Sequence, residues 1–371
     1  MSRSARSYDE SDVRIRPGKG SRPRTKTRPT HDDAASAMVV SVDRGRWGCV
    51  IDGDPDRRVV TMRARELGRT PIVVGDQVGV VGDLSGKPDT LARIVRVDER
   101  RTVLRRTADD TDPYERIVVA NADQLLIVTA LADPPPRSGF VERALAAAYA
   151  GGLSPILCLT KSDLAAPEEF AALFEGLDLP VVLAGRVDDL TDVHAILRGK
   201  LTALIGHSGV GKSTLVNRLV PDADRATGVV SGVGKGRHTS TQSVALPLPE
   251  ASTSSAGGDS SATGIPLPER VEGSGGTART WVVDTPGIRS FGLAHVTADE
   301  IVGAFEDLRD AADECPRGCT HLGPPADPEC VFDQLEGTSH RRAMAVRALL
   351  TAVTESAPAD AAPEQAAPDQ H

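Results

Sequence analysis

The sequence predicts a multidomain chain: an N-terminal OB-fold β-barrel, a central α/β domain around a mostly parallel sheet, and a C-terminal helical segment built on a Cys/His cluster. Three observations predict this. Short β-branched runs punctuated by Gly, Asp and Pro occupy 36–107. Beyond residue 115, apolar strand-like runs alternate with Ala-, Leu- and Glu-rich helical stretches. Three of the five cysteines fall between 315 and 330, with a histidine among them. The 371 residues suffice for two or three domains and a sizeable core.

Residues 1–35 mix Arg, Lys, Ser, Thr and Pro with almost no large apolar side chains, so a disordered basic arm is expected there. The runs MVVSV, WGCVI, RRVVTMRA, TPIVVGDQVGVVGDL and LARIVRV supply the barrel strands, separated by turn formers such as Asp52-Gly53, Gly75-Asp76 and Gly86. The α/β domain is expected over 115–296. Its buried strands are Gln124–Ala130, Pro155–Thr160, Pro180–Leu183, Leu201–Ile205 and Thr280–Asp284, with helices over 139–151, 167–176 and 190–198. The Ser/Gly/Thr/Pro-rich stretch 250–278 reads as a flexible insertion inside it. Helical periodicity resumes over 297–350, and 351–371 is an Ala/Pro/acidic tail expected to be disordered. Cys49 and Cys158 lie within strands and are expected in the core.

The formal net charge is -9, which as a single number argues against a nucleic-acid partner. Divided at the first boundary it says the opposite. Residues 1–107 hold 23 Lys/Arg against 15 Asp/Glu, about +8, and the remainder 20 against 37, about -17. Arg57, Arg58, Arg63, Arg65, Arg100, Arg101, Arg105 and Arg106 read as a phosphate-facing surface, and His340 lies on a second basic stretch with Arg341, Arg342 and Arg347. Aromatics make up 3%, so contact should be mostly to the nucleic-acid backbone and strongly salt-dependent. No apolar run reaches the roughly 18 residues of a membrane span, and the N-terminus has no apolar signal core. The expectation is a cytoplasmic protein without a membrane partner, and a monomer.

Gly206-His207-Ser208-Gly209-Val210-Gly211-Lys212-Ser213 matches the phosphate-loop pattern G-x-x-x-x-G-K-[ST], with a strand-like run before it and a helix opening at Thr214. Glycines let successive backbone N–H groups curl round phosphates, and the helix adds its positive end. Lys212 would reach the β/γ oxygens and the Ser213 hydroxyl would ligate Mg²⁺. Thr160-Lys161-Ser162-Asp163 ends another strand and is similar to the [NT]-K-x-D base signature of GTPases. A carboxylate there accepts from guanine N1–H and the 2-amino group, and the lysine stem covers the base. Asp284-Thr285-Pro286-Gly287 matches D-x-x-G, with Asp284 held to Mg²⁺ through water and the Gly287 N–H at the γ-phosphate. All three motifs end apolar runs, the edge at which open α/β sheets bind ligands. The base motif precedes the phosphate loop, however, the order of a circularly permuted chain.

That order, the run Gly236-Arg237-His238-Thr239-Ser240-Thr241, the segment Ala120-Asn121-Ala122-Asp123-Gln124, the leading barrel and the trailing Cys/His cluster together resemble one family. It is the ribosome-small-subunit-dependent GTPase A family of circularly permuted bacterial GTPases. The resemblance covers about 36–350. It implies GTP hydrolysis to GDP stimulated by the 30S subunit, contact with 16S rRNA, and a role late in that subunit's maturation. Ile288 stands where Ras-like enzymes carry a water-orienting Gln, so intrinsic turnover should be slow. The resemblance suggests His238 as the substitute, while the residue itself equally admits a contact to RNA or solvent. Thr239 or Thr241 would complete the Mg²⁺ shell, and the sequence does not choose between them.

Cys315-x3-Cys319-x-His321-x8-Cys330 places three thiols and an imidazole within sixteen positions. Soft thiolates with one histidine suit tetrahedral Zn²⁺, and four protein ligands make the site structural. Two rivals to the leading reading are a permuted GTPase acting on the large subunit and an RNA-binding zinc protein with a degenerate nucleotide site. Intact Lys212, Ser213, Asp163 and Asp284 speak against the latter.

Overall fold

A computed structural model describes residues 31–107, 114–221, 243–249, 279–285, 292–293 and 295–354. Nearly all of the N-terminal arm, the whole 250–278 insertion and most of the acidic tail lie outside these residues, as do His238, Thr239, Thr241 and Gly287.

Five strands form the barrel: β1 (Ala35–Asp43), β2 (Arg46–Ile51), β3 (Arg58–Arg63), β4 (Gln77–Gly82) and β5 (Ala92–Val97). The order β1-β2-β3-β5-β4 closes through β4 pairing back on β1, and every pairing is antiparallel except β3 with β5. This is the OB arrangement. The β1–β2 turn needs both central residues at positive φ to match strand twist, and Arg44 and Gly45 supply it at 43° and 82°. Alternating apolar residues fill the barrel, with Val39, Cys49, Ile51, Val78, Val80 and Ile94 at 1% exposure or less.

Next, β6 (Val103–Arg106) leaves the barrel and pairs with β7 (Arg116–Ala120) in a separate two-stranded ribbon. The central domain runs β8 (Gln124–Ala130), α1 (Ser138–Ala150), β9 (Ser154–Thr160), α2 (Glu168–Ala172), β10 (Val181–Leu183), α3 (Thr191–Leu197), β11 (Leu201–Ile205), α4 (Lys212–Leu219), β12 (Val244–Pro247) and β13 (Trp281–Asp284). The strand order is β10-β9-β8-β11-β13-β12, parallel except for β12. Its central strands are buried on both faces, which explains their unbroken apolar runs. The strands expected from sequence are all present. β12 also pairs with β1 at Ser41 opposite Val244, so barrel and central domain share one sheet, eleven strands among the described residues.

A second joint locks the two. Ala120 N–H donates to Val74 O at 3.0 Å, and the buried Asn121 donates Nδ2–H to Gly75 O at 3.0 Å while accepting from Arg101 N at 2.9 Å. Gly75 has φ of 90°, and a Cβ there would fall 1.9 Å from Ala120 O, so only glycine permits the approach. Beside it, Asp76 is fully buried and holds Arg100 through both carboxylate oxygens, at 2.6 and 2.9 Å. Arg100 is therefore an internal pin. Arg57 pairs with Asp52, Arg101 with Asp123 and Arg105 with Glu115, so the expected phosphate-facing surface is partly neutralised from within. Arg65 remains exposed, without an ion pair among the described residues.

The C-terminal segment contains α5 (Ala298–Val302), α6 (Glu306–Ala312) and α7 (Gly337–Thr354). A capping box starts α5: Thr297 and Glu300 bond each other's backbone N–H. The basic stretch of α7 turns inward as well as outward. Arg342 pairs with Asp307 at 2.6 Å and with Asp178 of the central domain, and Arg347 pairs with Asp333 at 2.6 Å. Phe305, beneath Arg342, meets Tyr149 of α1 with ring centroids 4.8 Å apart. No described helix is long and apolar enough to cross a membrane.

Candidate nucleotide and metal sites

The β9, β11 and β13 strands run parallel in the order β9-β8-β11-β13, so their C-terminal ends lie along one edge. Thr160–Asp163, Gly206–Ser213 and Asp284 are brought together there. The phosphate loop takes its curvature from Gly209 and Gly211, at φ of 86° and 94°. Gly206 has a different reason: a Cβ would stand 2.6 Å from Val128 O. Ser213 and Thr214 open α4 on its exposed side.

Lys212 is buried, and its ammonium bonds the Asp284 carboxylate and, at 2.5 Å, the Thr285 carbonyl. Thr285 is itself buried, donating to Leu204 O at 2.6 Å, which fixes the end of β13 against β11. The lysine thus has an internal counter-ion at the end of β13. Asp284 and the Ser213 hydroxyl are hard oxygen donors of the kind Mg²⁺ takes. His207 packs on Phe140 at 4.2 Å, and burial, helped by the charge of Arg137, holds it below the usual histidine range. A cleft of about 280 Å³ lined by Pro134, Arg137, His207 and Ser208 flanks the loop. A larger hollow of about 1030 Å³, near Gln124, Ser154 and Phe305, lies at the opposite strand ends, away from the three nucleotide motifs. Size alone does not select the site.

In the base motif, Thr160 is buried and its hydroxyl lies 2.5 Å from Val210 O and 3.2 Å from Thr129 O, tying this loop to the phosphate loop. Lys161, at φ of 57°, reaches Asp133 O, and Asp163 stays exposed. Ser162 donates to Asp188 Oδ2 at 2.6 Å, and Arg218 of α4 donates to Gly185 O and Asp188 O, each at 2.7 Å. Asp188 and Arg218 were not singled out by sequence, because neither sits in a recognisable motif. The one usable signal was Gly185, two residues past the end of a strand.

The Cys/His cluster is assembled as the spacing predicted. Ligand atoms of Cys315, Cys319, His321 and Cys330 all lie within 4.8 Å of one another. His321 Nδ1 is 3.6 Å from the Cys315 and Cys319 sulfurs and 3.9 Å from that of Cys330. Around a tetrahedral zinc with Zn–S of about 2.3 Å and Zn–N of about 2.0–2.1 Å, simple trigonometry puts N and S about 3.6 Å apart. The residues fit the ion. Burial, with the neighbouring sulfurs, pushes the Cys319 thiol up to about 12. A cation binding there must therefore displace protons. Outer contacts hold the ligands: Val331 N–H donates to Cys315 Sγ, Asp327 accepts from Thr320 and Leu322 backbone N–H, and Arg347 donates to His321 O at 3.0 Å. Phe332 stacks on the His321 ring at 4.7 Å. Gly323, at φ of 78°, leaves room for the Arg347 guanidinium, which a Cβ would meet at 2.7 Å.

A model of the RsgA GTPase family matches residues 97–254. The small ribosomal subunit biogenesis GTPase RsgA of Porphyromonas gingivalis is 32% identical over 266 residues, 69% of this chain and 76% of that protein. Its counterpart in Gemmatimonas aurantiaca is 33% identical over 307 residues, 79% of this chain and 89% of that protein. Among solved structures, YjeQ from Thermotoga maritima has the same fold, with a TM-score of 0.57 at 20% identity over 86% of this chain and 98% of that one. So does YloQ, a circularly permuted GTPase, with a TM-score of 0.54 at 20% identity over 89% and 98%. With its leading barrel, permuted motif order and trailing Cys/His cluster, this chain belongs to the RsgA GTPase family.

Proposed function

We propose that this chain hydrolyses GTP to GDP and phosphate, is stimulated by the small (30S) ribosomal subunit, and assists that subunit's late maturation in the cytoplasm. The observation that carries the reading is the meeting of Thr160–Asp163, Gly206–Ser213 and Asp284 on one sheet edge, in a chain whose relatives bear the small-subunit biogenesis name. Lys212 exchanges Asp284 and the Thr285 carbonyl for phosphate oxygens. Gly206–Gly211 backbone N–H groups would bind the phosphate chain, Ser213 would hold Mg²⁺ directly and Asp284 through water, and Asp163 would read the guanine edge beneath the Lys161 stem. When bound, Mg²⁺ neutralises charge on the transferring phosphoryl group. His238 orients the attacking water, with Gly287 and Thr239 or Thr241 completing the γ-phosphate side.

Zinc is the resident ion of the Cys₃His site, where three thiolates and a histidine select it over harder cations. The barrel contacts 16S rRNA through its exposed arginines, Arg65 first among them. The test is GTP turnover with and without purified 30S or 50S subunits. Stimulation by 30S alone is expected. Stimulation by 50S instead, or none by either, overturns the assignment.

A further inference from the structure

We infer that Asp188 and Arg218 are positioning residues of the guanine-reading loop, which they hold in place and lock to the helix of the phosphate loop. The inference rests on the GTP reading above and adds to it two residues outside every nucleotide motif. Asp188 lies in the connection after β10. One of its carboxylate oxygens, Oδ2, accepts the Ser162 hydroxyl at 2.6 Å and the Gly185 N–H at 2.7 Å. Ser162 immediately precedes Asp163, so this bond fixes the backbone that carries the base-reading carboxylate. A bond to an ionised acceptor is about twice as strong as a neutral one, which suits a short exposed loop.

Arg218, in the last turn of α4, closes the other half. Its Nη1 donates to Gly185 O and its Nη2 to Asp188 O, both at 2.7 Å. A planar fork reaches two carbonyls at once, and an ammonium does not do so with the same rigidity. Gly185 is required for proximity: a Cβ there would lie 2.1 Å from Ser162 Oγ and 2.9 Å from Asp188 Oδ2. Ala184 N–H donates to Leu159 O at 2.8 Å, seating the connection against the strand that ends in the base motif. With Thr160 bonded to Val210 O, the base loop is tied to the phosphate loop directly and, through Asp188 and Arg218, to its helix. The two loops are thus joined by hydrogen bonds at two places, Thr160 and Arg218. The adjacent Asp189 has a separate task, accepting from Thr191 N–H and Oγ1–H at 3.1 and 2.6 Å to start α3.

The experiment is displacement of a fluorescent GDP from the full chain by GDP and by IDP, which lacks the 2-amino group that Asp163 reads. Asp188→Ala is expected to weaken GDP binding about tenfold and IDP binding less, so the preference for GDP over IDP shrinks. Ser162→Ala should move the ratio the same way by a smaller factor, and the double variant should be no weaker than Asp188→Ala. Arg218→Lys should weaken both nucleotides. Asp189→Ala should lower the melting temperature and leave the GDP/IDP ratio at the wild-type value, as a purely structural role would. A wild-type ratio in Asp188→Ala, or additive losses in the double variant, overturns the inference. If Asp188→Ala fails to fold, Ser162→Ala carries the test, and an unchanged ratio there overturns it. A wild-type chain that binds no guanine nucleotide sinks the GTP reading instead, and is distinguishable because every variant then matches it.

Discussion

The metal site and the nucleotide site are built in opposite ways. The four metal ligands lie within sixteen consecutive positions, and short turns at Gly318 and Gly323 bring them together with help from Arg347 and Phe332. The nucleotide site draws on residues from Thr160 to Asp284, and nothing local joins them. Their meeting depends on the order in which β9, β8, β11 and β13 lie in the sheet. A site made by sequence proximity survives rearrangement of the chain around it. A site made by strand order survives permutation of the chain, provided the strands keep their places, and this chain demonstrates that case.

The comparison can be broken most strongly at the metal. Cys330→Ser or chelation should release the ion and unfold the ligand loop, since structural zinc supplies on the order of 10 kcal/mol in small domains. GDP affinity should persist if the two sites are independent. Metal content by mass spectrometry, melting temperature and GDP binding read the three consequences, and loss of GDP affinity would join the sites into one unit. Reloading with Zn²⁺ at neutral pH should release protons, because burial raises the Cys315 and Cys319 thiols above the ordinary thiol value while the metal takes the thiolate. A pH-indicator titration counts them.

Within the nucleotide site, Lys212→Ala should cut single-turnover GTP hydrolysis by about 10²–10³-fold. The metal content should not change. At the barrel joint, Arg100→Ala strands the fully buried Asp76 carboxylate and should cost about 3 kcal/mol by denaturant unfolding. Gly75→Ala meets the Ala120 carbonyl at positive φ and should cost about 2 kcal/mol by the same measurement. If Arg100→Ala instead left stability alone and weakened RNA binding, its role as an internal pin would be wrong.

The smallest effect concerns Cys49 and Cys158. Burial pushes each thiol up to about 12. Both should resist alkylation in the native chain near neutral pH and react on unfolding, which peptide mass spectrometry can follow. The sign with pH follows. Above the ordinary thiol value of 9.0 the unfolded chain loses these protons while the folded chain keeps them. Their contribution to stability should therefore fall as pH rises from about 9 toward 12, and not change between about 5 and 8. Unfolding curves of the double Cys→Ala variant provide the comparison.

Much of the fold was legible because its signals are local. Period-two runs with Gly and Asp turns announced the barrel, unbroken apolar runs announced the central strands, and Gly209 and Gly211 announced the curved loop. Arg100 was misleading for a definite reason. Charge in sequence says nothing of which carboxylate stands opposite, and Asp76, which holds Arg100, is 24 residues away. The α7 arginines face the same limit, with Asp178 lying 164 residues from Arg342. Ala120–Gln124 likewise carried a resemblance without a role. In the fold Ala120 and Asn121 grip the barrel, Asp123 accepts from Leu201 N–H at 2.8 Å, and Gln124 accepts from Thr202 at 3.1 Å, so the segment is a joint.

By itself the sequence determined the three-part plan, the permuted motif order, the metal ligand set and the residue types at the nucleotide edge. Each of these is a short-range pattern, set by backbone freedom, strand periodicity or ligand chemistry over a few residues. Only the tertiary structure decided that barrel and central domain share one sheet through Ser41 and Val244. It likewise placed Lys212 on Asp284, and Asp188 with Arg218 on the base loop. Those pairings join residues far apart in the chain, and their geometry follows from strand order and close packing, which no local pattern encodes.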